Sequence, residues 1–387
     1  MPSSSRAPSR PEDGFDVVLI GIAARGLAAS ARRAGLRALA FDLFADEDTR
    51  ALAHGVVRLR RKQGFALDPD DLLEQLARHV GPDTPVVLGT GFEDAPGLVA
   101  RLAGLFRVAG SGAAALARLK DPFAFARLLG DLDIPHPRIF TDRAPAGMHA
   151  LEKRIGGSGG GHVRRAAEPR GEGWYLQEFL EGHSVSVLFL GNGRAARLLA
   201  FSEQWCDPGE DAPFRYGGCA GPIQLEETLV QQVAGALSRL TGAVGLKGLA
   251  SADLILHEGS WHLIEVNPRP GATLDIFDAP PLPPLLRLHL DTCAGGLPPL
   301  PLLVPGAGVE ARAAGVFYAP AATVMRDALP GWVADRPAPG TRIAAGEPVC
   351  TVRATGRDIA EARAVLARRM NHLSRALGTA GRAAAAE

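Results

Sequence analysis

Leu263-Ile264-Glu265-Val266-Asn267-Pro268-Arg269-Pro270-Gly271 carries two polar oxygen donors, Glu265 and Asn267, and Asp253 stands twelve residues before Glu265. Leu254-Ile255-Leu256 and Trp261-His262-Leu263-Ile264 read as two strands, joined by the turn His257-Glu258-Gly259-Ser260. Such a hairpin brings Asp253, expected at the start of one strand, near Glu265 and Asn267 at the end of the other. Two carboxylates and an amide oxygen then converge. Hard oxygen ligands of this kind suit Mg²⁺, which keeps several waters and shares its shell with nucleotide phosphates. Arg269 follows where a guanidinium could grip a phosphate or carboxylate in a forked contact. The structural alternative is a buried acid paired with Arg269 at a strand end.

Composition narrows the function classes. A chain of 387 residues, 47% of them apolar, suits two or three domains with substantial cores. Its 42 basic and 42 acidic residues balance, so no global field invites nucleic acid or an anionic membrane. No apolar stretch approaches the roughly 20 residues needed to span a bilayer. Cys206, Cys219, Cys293 and Cys350 are scattered, without CxxC spacing, which points to reduced thiols in the cytoplasm. Residues 1–14 are rich in Ser, Pro and Arg and read as a disordered arm.

The chain alternates elements in a recognisable order. Over residues 15–115, short apolar runs such as Phe15–Ile20, Arg37–Asp42 and Pro85–Leu88 alternate with the helices Leu27–Ala34 and Asp70–His79. This βαβ pattern predicts an open parallel sheet. The turn Gly21–Gly26 with Asp42 beyond it is a weak dinucleotide signature, because the full GxGxxG spacing is missing. A helix is expected over Leu116–Leu129, a strand-rich unit over about 141–200, and a further helix over 224–242. Residues 277–305 read as irregular covering structure with one short helix. A small β unit over 311–353 follows, then helix 357–377 and a disordered alanine run.

Lys153-Arg154-Ile155-Gly156-Gly157-Ser158-Gly159-Gly160-Gly161 is the second signal: five glycines in the six positions 156–161. Such a run cannot pack a core, but it exposes backbone N–H groups to an anion. Lys153 adds a point charge for a phosphate. A Walker A loop places its lysine after the glycines, so this order fits a flexible hairpin lid instead. Tyr175-Leu176-Gln177-Glu178-Phe179-Leu180-Glu181-Gly182 then begins a strand that could flank an adenine, with an apolar wall at Phe179 and Leu180. His136 and His262 read as structural.

In sequence order, Lys120, Lys153 with its glycine loop, the Gln177–Gly182 strand and the Asp253…Glu265-Val266-Asn267-Pro268-Arg269 set closely resemble the ATP-grasp superfamily of carboxylate–amine ligases. The resemblance spans about residues 15–355. It implies an α/β fold of the α+β ATP-grasp kind. Residues 15–115 would be a parallel α/β pre-grasp domain and 116–305 a two-lobed ATP-grasp domain with its lid at about 141–200. Residues 306–380 would form a small C-terminal β and helix unit. ATP and Mg²⁺, with Mn²⁺ as a substitute, would be the cofactors. Lys120 and Lys153 would contact phosphates under Gly156, Gly157, Ser158, Gly159 and Gly160. Glu178, Phe179 and Leu180 would line the adenine. Asp253, Glu265 and Asn267 would hold the metal, and Arg269, with Lys153, would serve catalysis by steadying an acyl phosphate. Ser184 stands where many members carry a ribose-binding glutamate, which Glu181 could replace.

Gly21–Arg32, Phe41–Thr49, Gly89-Thr90-Gly91-Phe92-Glu93 and Ala212–Gly218 resemble a biotin-carboxylase-related group that includes tyramine–glutamate ligation in methanofuran biosynthesis. That resemblance implies joining of glutamate to tyrosine or tyramine in methylofuran-type one-carbon cofactor assembly. Arg215, Tyr216 and Gly217 would then meet the substrate, and Tyr216 or Trp205 could stack on a phenol ring. The expected partners are a small carboxylate and a small amine, with no nucleic acid and no membrane. A homodimer through the N-terminal sheet or the tail is also an expectation. A carboxyphosphate-forming component and a non-catalytic ATP sensor are the alternatives.

Overall fold

The computed structural model describes residues 14–62, 64–306, 308–326 and 328–384. The arm at 1–13 lies outside them.

The N-terminal unit runs β1 (Val17–Gly21), α1 (Arg25–Arg33), β2 (Ala38–Asp42), α2 (Glu47–Leu52), β3 (Gly55–Arg58), α3 (Pro69–His79), β4 (Val86–Leu88) and α4 (Pro96–Leu105). Its strands pair in parallel in the order β3-β2-β1-β4, as the βαβ pattern predicts. Val17 and Leu19 of β1 enter one core, Val18 and Ile20 another, so the strand is buried on both faces as a covered parallel sheet requires. Asp42 is consumed by the turns around it. Its carboxylate accepts the N–H groups of Ala24, Phe44 and Ala45, each at 2.7 Å. The weak dinucleotide signature therefore marks a structural acid.

The helix expected over Leu116–Leu129 is two helices, α5 (Ala113–Lys120) and α6 (Pro122–Asp131). Pro122 disfavours helical backbone at Asp121 and sits well at the first position of a new helix. Asp121 closes α5 and caps α6, accepting the N–H groups of Phe123 and Ala124 at 2.9 Å. The break leaves Lys120 as the last residue of α5.

The lid is a separate four-stranded sheet of β5 (Ile139–Phe140), β6 (Ala150–Arg154), β7 (Arg164–Arg165) and β8 (Trp174–Glu178), in the order β5-β8-β6-β7. The fully buried Glu152 binds the side chains of Arg164 and Arg170 and accepts the Arg170 N–H, which ties the β6–β7 hairpin into one body. The main sheet contains β9 (His183–Asn192), β10 (Ala196–Cys206) and β11 (Tyr216–Ile223), then, after α7 (Glu227–Val244), β12 (Lys247–His257) and β13 (Ser260–Asn267). The short α8 (Leu274–Phe277) follows, and then α9 (Leu285–Cys293), the one short helix expected over 277–305. The tail adds β14 (Ala311–Tyr318), β15 (Thr323–Val324), β16 (Val333–Ala334), β17 (Arg342–Ile343) and β18 (Pro348–Gly356). β14, β18 and β16 continue the main sheet, whose order is β13-β12-β9-β10-β11-β14-β18-β16, while β15 and β17 pair separately. The last helix, α10 (Ile359–Ala384), takes in the start of the alanine run that was expected to be disordered. Alanine is the best helix former, so Ala383 and Ala384 prolong the helix.

A buried charge cluster fastens the N-terminal unit to the rest. The Arg25 guanidinium, 5% exposed, binds both oxygens of Asp275 at 2.5 and 2.7 Å and both of Asp335 at 2.9 and 3.1 Å. Asp48 lies 4.0 Å from it and accepts the N–H groups of Asp335 and Arg336 at 2.9 Å. Removing one partner of a buried ionic group leaves uncompensated charge. Arg25→Met is expected to lower the free energy of unfolding in urea by about 3–5 kcal/mol. A loss under about 1 kcal/mol would mean the cluster contributes no more than a surface pair.

Candidate active site

The hairpin expected from the sequence is the edge of the main sheet. Asp253 pairs across the strands with Glu265, and Ser251 pairs with Asn267. Asp253 lies within the eleven-residue β12, whereas the sequence placed it at a strand start. Directly opposed residues share a face. Asp253, Glu265 and Asn267, with Ser251 and Ser186 of the neighbouring β9, form the floor of a cleft of about 900 Å³. Burial and the Glu265 carboxylate push the Asp253 carboxyl up to about 6. Burial acts to raise Glu265, but Lys120, with Lys153 and Arg269, outweighs it and the net shift is downward.

Three cations surround these acids. Lys120, at the end of α5, donates to the Glu265 carboxylate and to Asn267 Oδ1, the latter at 2.7 Å. Lys153 faces the cleft from the lid; burial lowers its pKa, opposed by Glu265 and Asp253. Arg269 enters from the end of β13. The acid it pairs with is Glu93, which the sequence analysis did not single out as a site residue: Nε and Nη2 of Arg269 each lie 2.7 Å from Glu93 Oε1. Glu93 Oε2 accepts the N–H groups of Gly91 and Phe92 at 2.8 and 2.9 Å.

These donors fit a divalent cation. Among the described residues no group of three or more His, Cys, Asp or Glu converges as a closed metal cage. Two carboxylates and one amide form an open seat, as Mg²⁺ prefers when substrate oxygens and waters complete its shell. The Lys120 ammonium resting on Glu265 and Asn267 marks the spot as one that attracts positive charge.

The glycine loop roofs the cleft, and Gly156, Gly157, Ser158, Gly159 and Gly160 all line it. Gly160 has φ +72°, and a Cβ there would overlap the Phe214 carbonyl oxygen. Tyr216 N–H donates to Gly159 O at 3.0 Å, so the loop is stitched to residues 214–216 in a closed position. In the lid sheet Leu151 opposes Gln177 and Lys153 opposes Tyr175, and all four face the cleft.

That register sets where the side chains of the expected adenine wall point. Side chains alternate along a strand, so Glu178, one residue after Gln177, turns away and pairs with Arg138 at 2.9 and 3.0 Å. The Phe179 ring instead carries the Arg165 guanidinium 4.0 Å from its centroid. Glu178, Phe179 and Leu180 do not line the cleft; Gln177, Gly182, His183 and Ser184 do. Glu181 is likewise absent from the wall.

The expected substrate residues divide. Tyr216 lines the cleft beside Trp205, Phe214 and Tyr318. Arg215 and Gly217 do not. The Arg215 guanidinium lies 3.5 Å from the Tyr318 ring centroid and is bound to Asp207. Arg154 and His162 are further lining residues that the sequence analysis left out. His136 also lines the cleft, with Nδ1 2.8 Å from Ile134 O, and His262 does not.

Burial acts to raise the Glu93 pKa, but Arg269, with help from Lys120, holds it at about 2. Its folded value is therefore below the unfolded one, so its stabilisation is present above about 4.5 and lost as pH falls towards about 2. Glu93→Gln is expected to cost about 3 kcal/mol of unfolding free energy at pH 7 and much less at pH 3. An equal cost at both values would contradict the pairing.

Residues 120–273 match the sequence model of the ATP-grasp domain. A search of curated proteins returned no match. Among solved structures, the chain is similar to a biotin carboxylase from Campylobacter jejuni in complex with beta-gamma-ATP, at TM-score 0.69 and 12% identity, covering 91% of this chain and 90% of that one. It is also similar to an L-amino acid ligase from Bacillus licheniformis, at TM-score 0.63 and 16% identity over 92% and 98% of the two chains. A third likeness is the biotin carboxylase domain of a Hydrogenobacter thermophilus 2-oxoglutarate carboxylase, in complex with MgADP and bicarbonate, at TM-score 0.68 and 12% identity over 88% and 86%. At these identities the likeness concerns the fold. The chain thus has a mixed α/β fold of the ATP-grasp kind, and the stretch that matches the ATP-grasp domain model is residues 120–273.

Proposed function

We propose that the chain is an ATP-dependent ligase that forms an amide through an acyl phosphate. One observation carries this reading: Lys120, Lys153 and Arg269 converge with Asp253, Glu265 and Asn267 in one cleft beneath a glycine loop. A cleft with this many cations and exposed N–H groups suits a polyphosphate.

A substrate carboxylate oxygen attacks the γ-phosphorus of ATP, the bond to ADP breaks, and an acyl phosphate forms. An amine nitrogen then attacks the acyl carbon, phosphate leaves, and the amine proton passes to solvent. Lys120 and Lys153 would hold the phosphates, with Lys120 leaving the acids it now bridges. Gly156–Gly160 would cover the transferring group and exclude water. Arg269, oriented by Glu93, would meet the developing negative charge. Asp253, Glu265 and Asn267 would hold Mg²⁺, which when bound neutralises the triphosphate and aligns the transfer. Gln177 and the 182–184 backbone would flank the adenine.

The similar L-amino acid ligase supports an amino-acid substrate by analogy of fold. The narrower proposal is glutamate joined to tyrosine or tyramine in methylofuran-type cofactor assembly. What supports it is the aromatic wall of Trp205, Phe214, Tyr216 and Tyr318, suited to a phenol ring. Of the two arginines expected to hold a glutamate carboxylate, Arg215 and Arg269, it is Arg269 that lines the cleft.

ADP release from Mg-ATP with glutamate, with and without tyrosine or tyramine, tests both levels. The expected result is amine-dependent ADP and an amide of matching mass, reduced on the order of 10²–10³-fold in Glu265→Ala. ADP release with bicarbonate alone would favour a carboxyphosphate-forming enzyme. Tight ATP binding without turnover would favour a sensor.

A further inference from the structure

His162 closes the glycine loop, and nothing above uses it. It lines the cleft together with Lys153 and Glu265. Its imidazole rests on the backbone of Gly157, where a Cβ would lie 2.5 Å from Cε1 and Nε2 and 2.7 Å from Cδ2. Gly157, unlike Gly156, Gly159 and Gly160, needs no left-handed backbone. Its lack of a side chain is explained by the ring seated on it. One glycine of the loop is therefore there to hold a histidine against the roof of the cleft.

The surroundings decide the ring's charge. Lys153 and Arg154 face it from β6, Glu265 from β13, and the Ser158 carbonyl from the loop itself. Asp94 packs behind the loop against Gly156. Burial first, and Lys153 second, hold the imidazole at about 4, so it is neutral at ordinary pH. A polyanion in the cleft would act against the Lys153 part of that balance. It neutralises Lys153 and places negative charge near the ring, which favours the imidazolium.

We propose that His162 is a phosphate-positioning residue of the lid, which gains a proton when the triphosphate binds and so becomes an added cation over it. The proposal rests on the triphosphate reading of the cleft. The proton comes from solvent and goes to an imidazole nitrogen, and no other bond changes. Binding is therefore coupled to proton uptake, more strongly at pH 6 than at pH 8.5, and the closed lid is held partly by a charge that exists only in the complex.

Isothermal titration with a non-hydrolysable ATP analogue and Mg²⁺, in two buffers of different ionisation enthalpy at pH 6 and 8.5, tests this. Asp253, raised to about 6, shares the cleft, so the difference between wild type and His162→Gln isolates the histidine. Wild type is expected to take up a larger fraction of a proton at pH 6 than His162→Gln, and to bind about tenfold more tightly there. At pH 8.5 both differences should shrink. Gly157→Ala, which displaces the ring without removing it, should lose the same proton uptake. Equal uptake in wild type and His162→Gln at pH 6 would overturn the proposal while leaving the triphosphate reading intact. Failure of the analogue to bind either folded protein at any pH would remove that reading and the proposal together.

Discussion

Asp253 and Glu265, half-buried in the floor of the cleft, face one another across a strand pair, and their charge acts on everything near them. Two carboxylates in one low-dielectric site cannot both ionise cheaply unless cations approach. The fold supplies them from three directions. The end of α5 delivers Lys120, the lid delivers Lys153, and the end of β13 delivers Arg269. Arg269 is in turn fixed by Glu93 of the N-terminal unit. The parallel sheet, the lid and the main sheet thus meet where their charges balance, and the cleft is what remains between them.

The cleft's roof is closed and rigid in parts. Glu152, gripped by Arg164 and Arg170, keeps the β6–β7 hairpin in one piece, while Gly159 and Gly160 dock against residues 214–216. Glycines at the docking points let the backbone approach that closely, and a Cβ at Gly160 would prevent it.

Much of this was legible in the sequence because it is local. A hairpin with Asp253, Glu265 and Asn267 follows from spacing, and the glycine loop from composition. The parallel sheet follows from the alternation of elements. What was not legible depends on phase or on distant partners. Strand alternation sends the Gln177 side chain into the cleft and the Glu178 side chain out of it. Arg215 looked free because its partners, Asp207 and the Tyr318 ring, cannot be read from spacing. Glu93 lies 176 residues from Arg269, so no local pattern connects them. The Asp121-Pro122 break was readable, since proline at a first helical position is a strong signal, and its neglect hid why Lys120 ends a helix.

The central claim is that the cations in this cleft hold a phosphate on its way to a carboxylate. The most direct test follows one oxygen atom. Turnover of the acid substrate labelled with ¹⁸O in its carboxylate should release phosphate carrying one ¹⁸O, because the bridging oxygen of an acyl phosphate leaves with phosphorus. Amide formation with unlabelled phosphate would contradict the account.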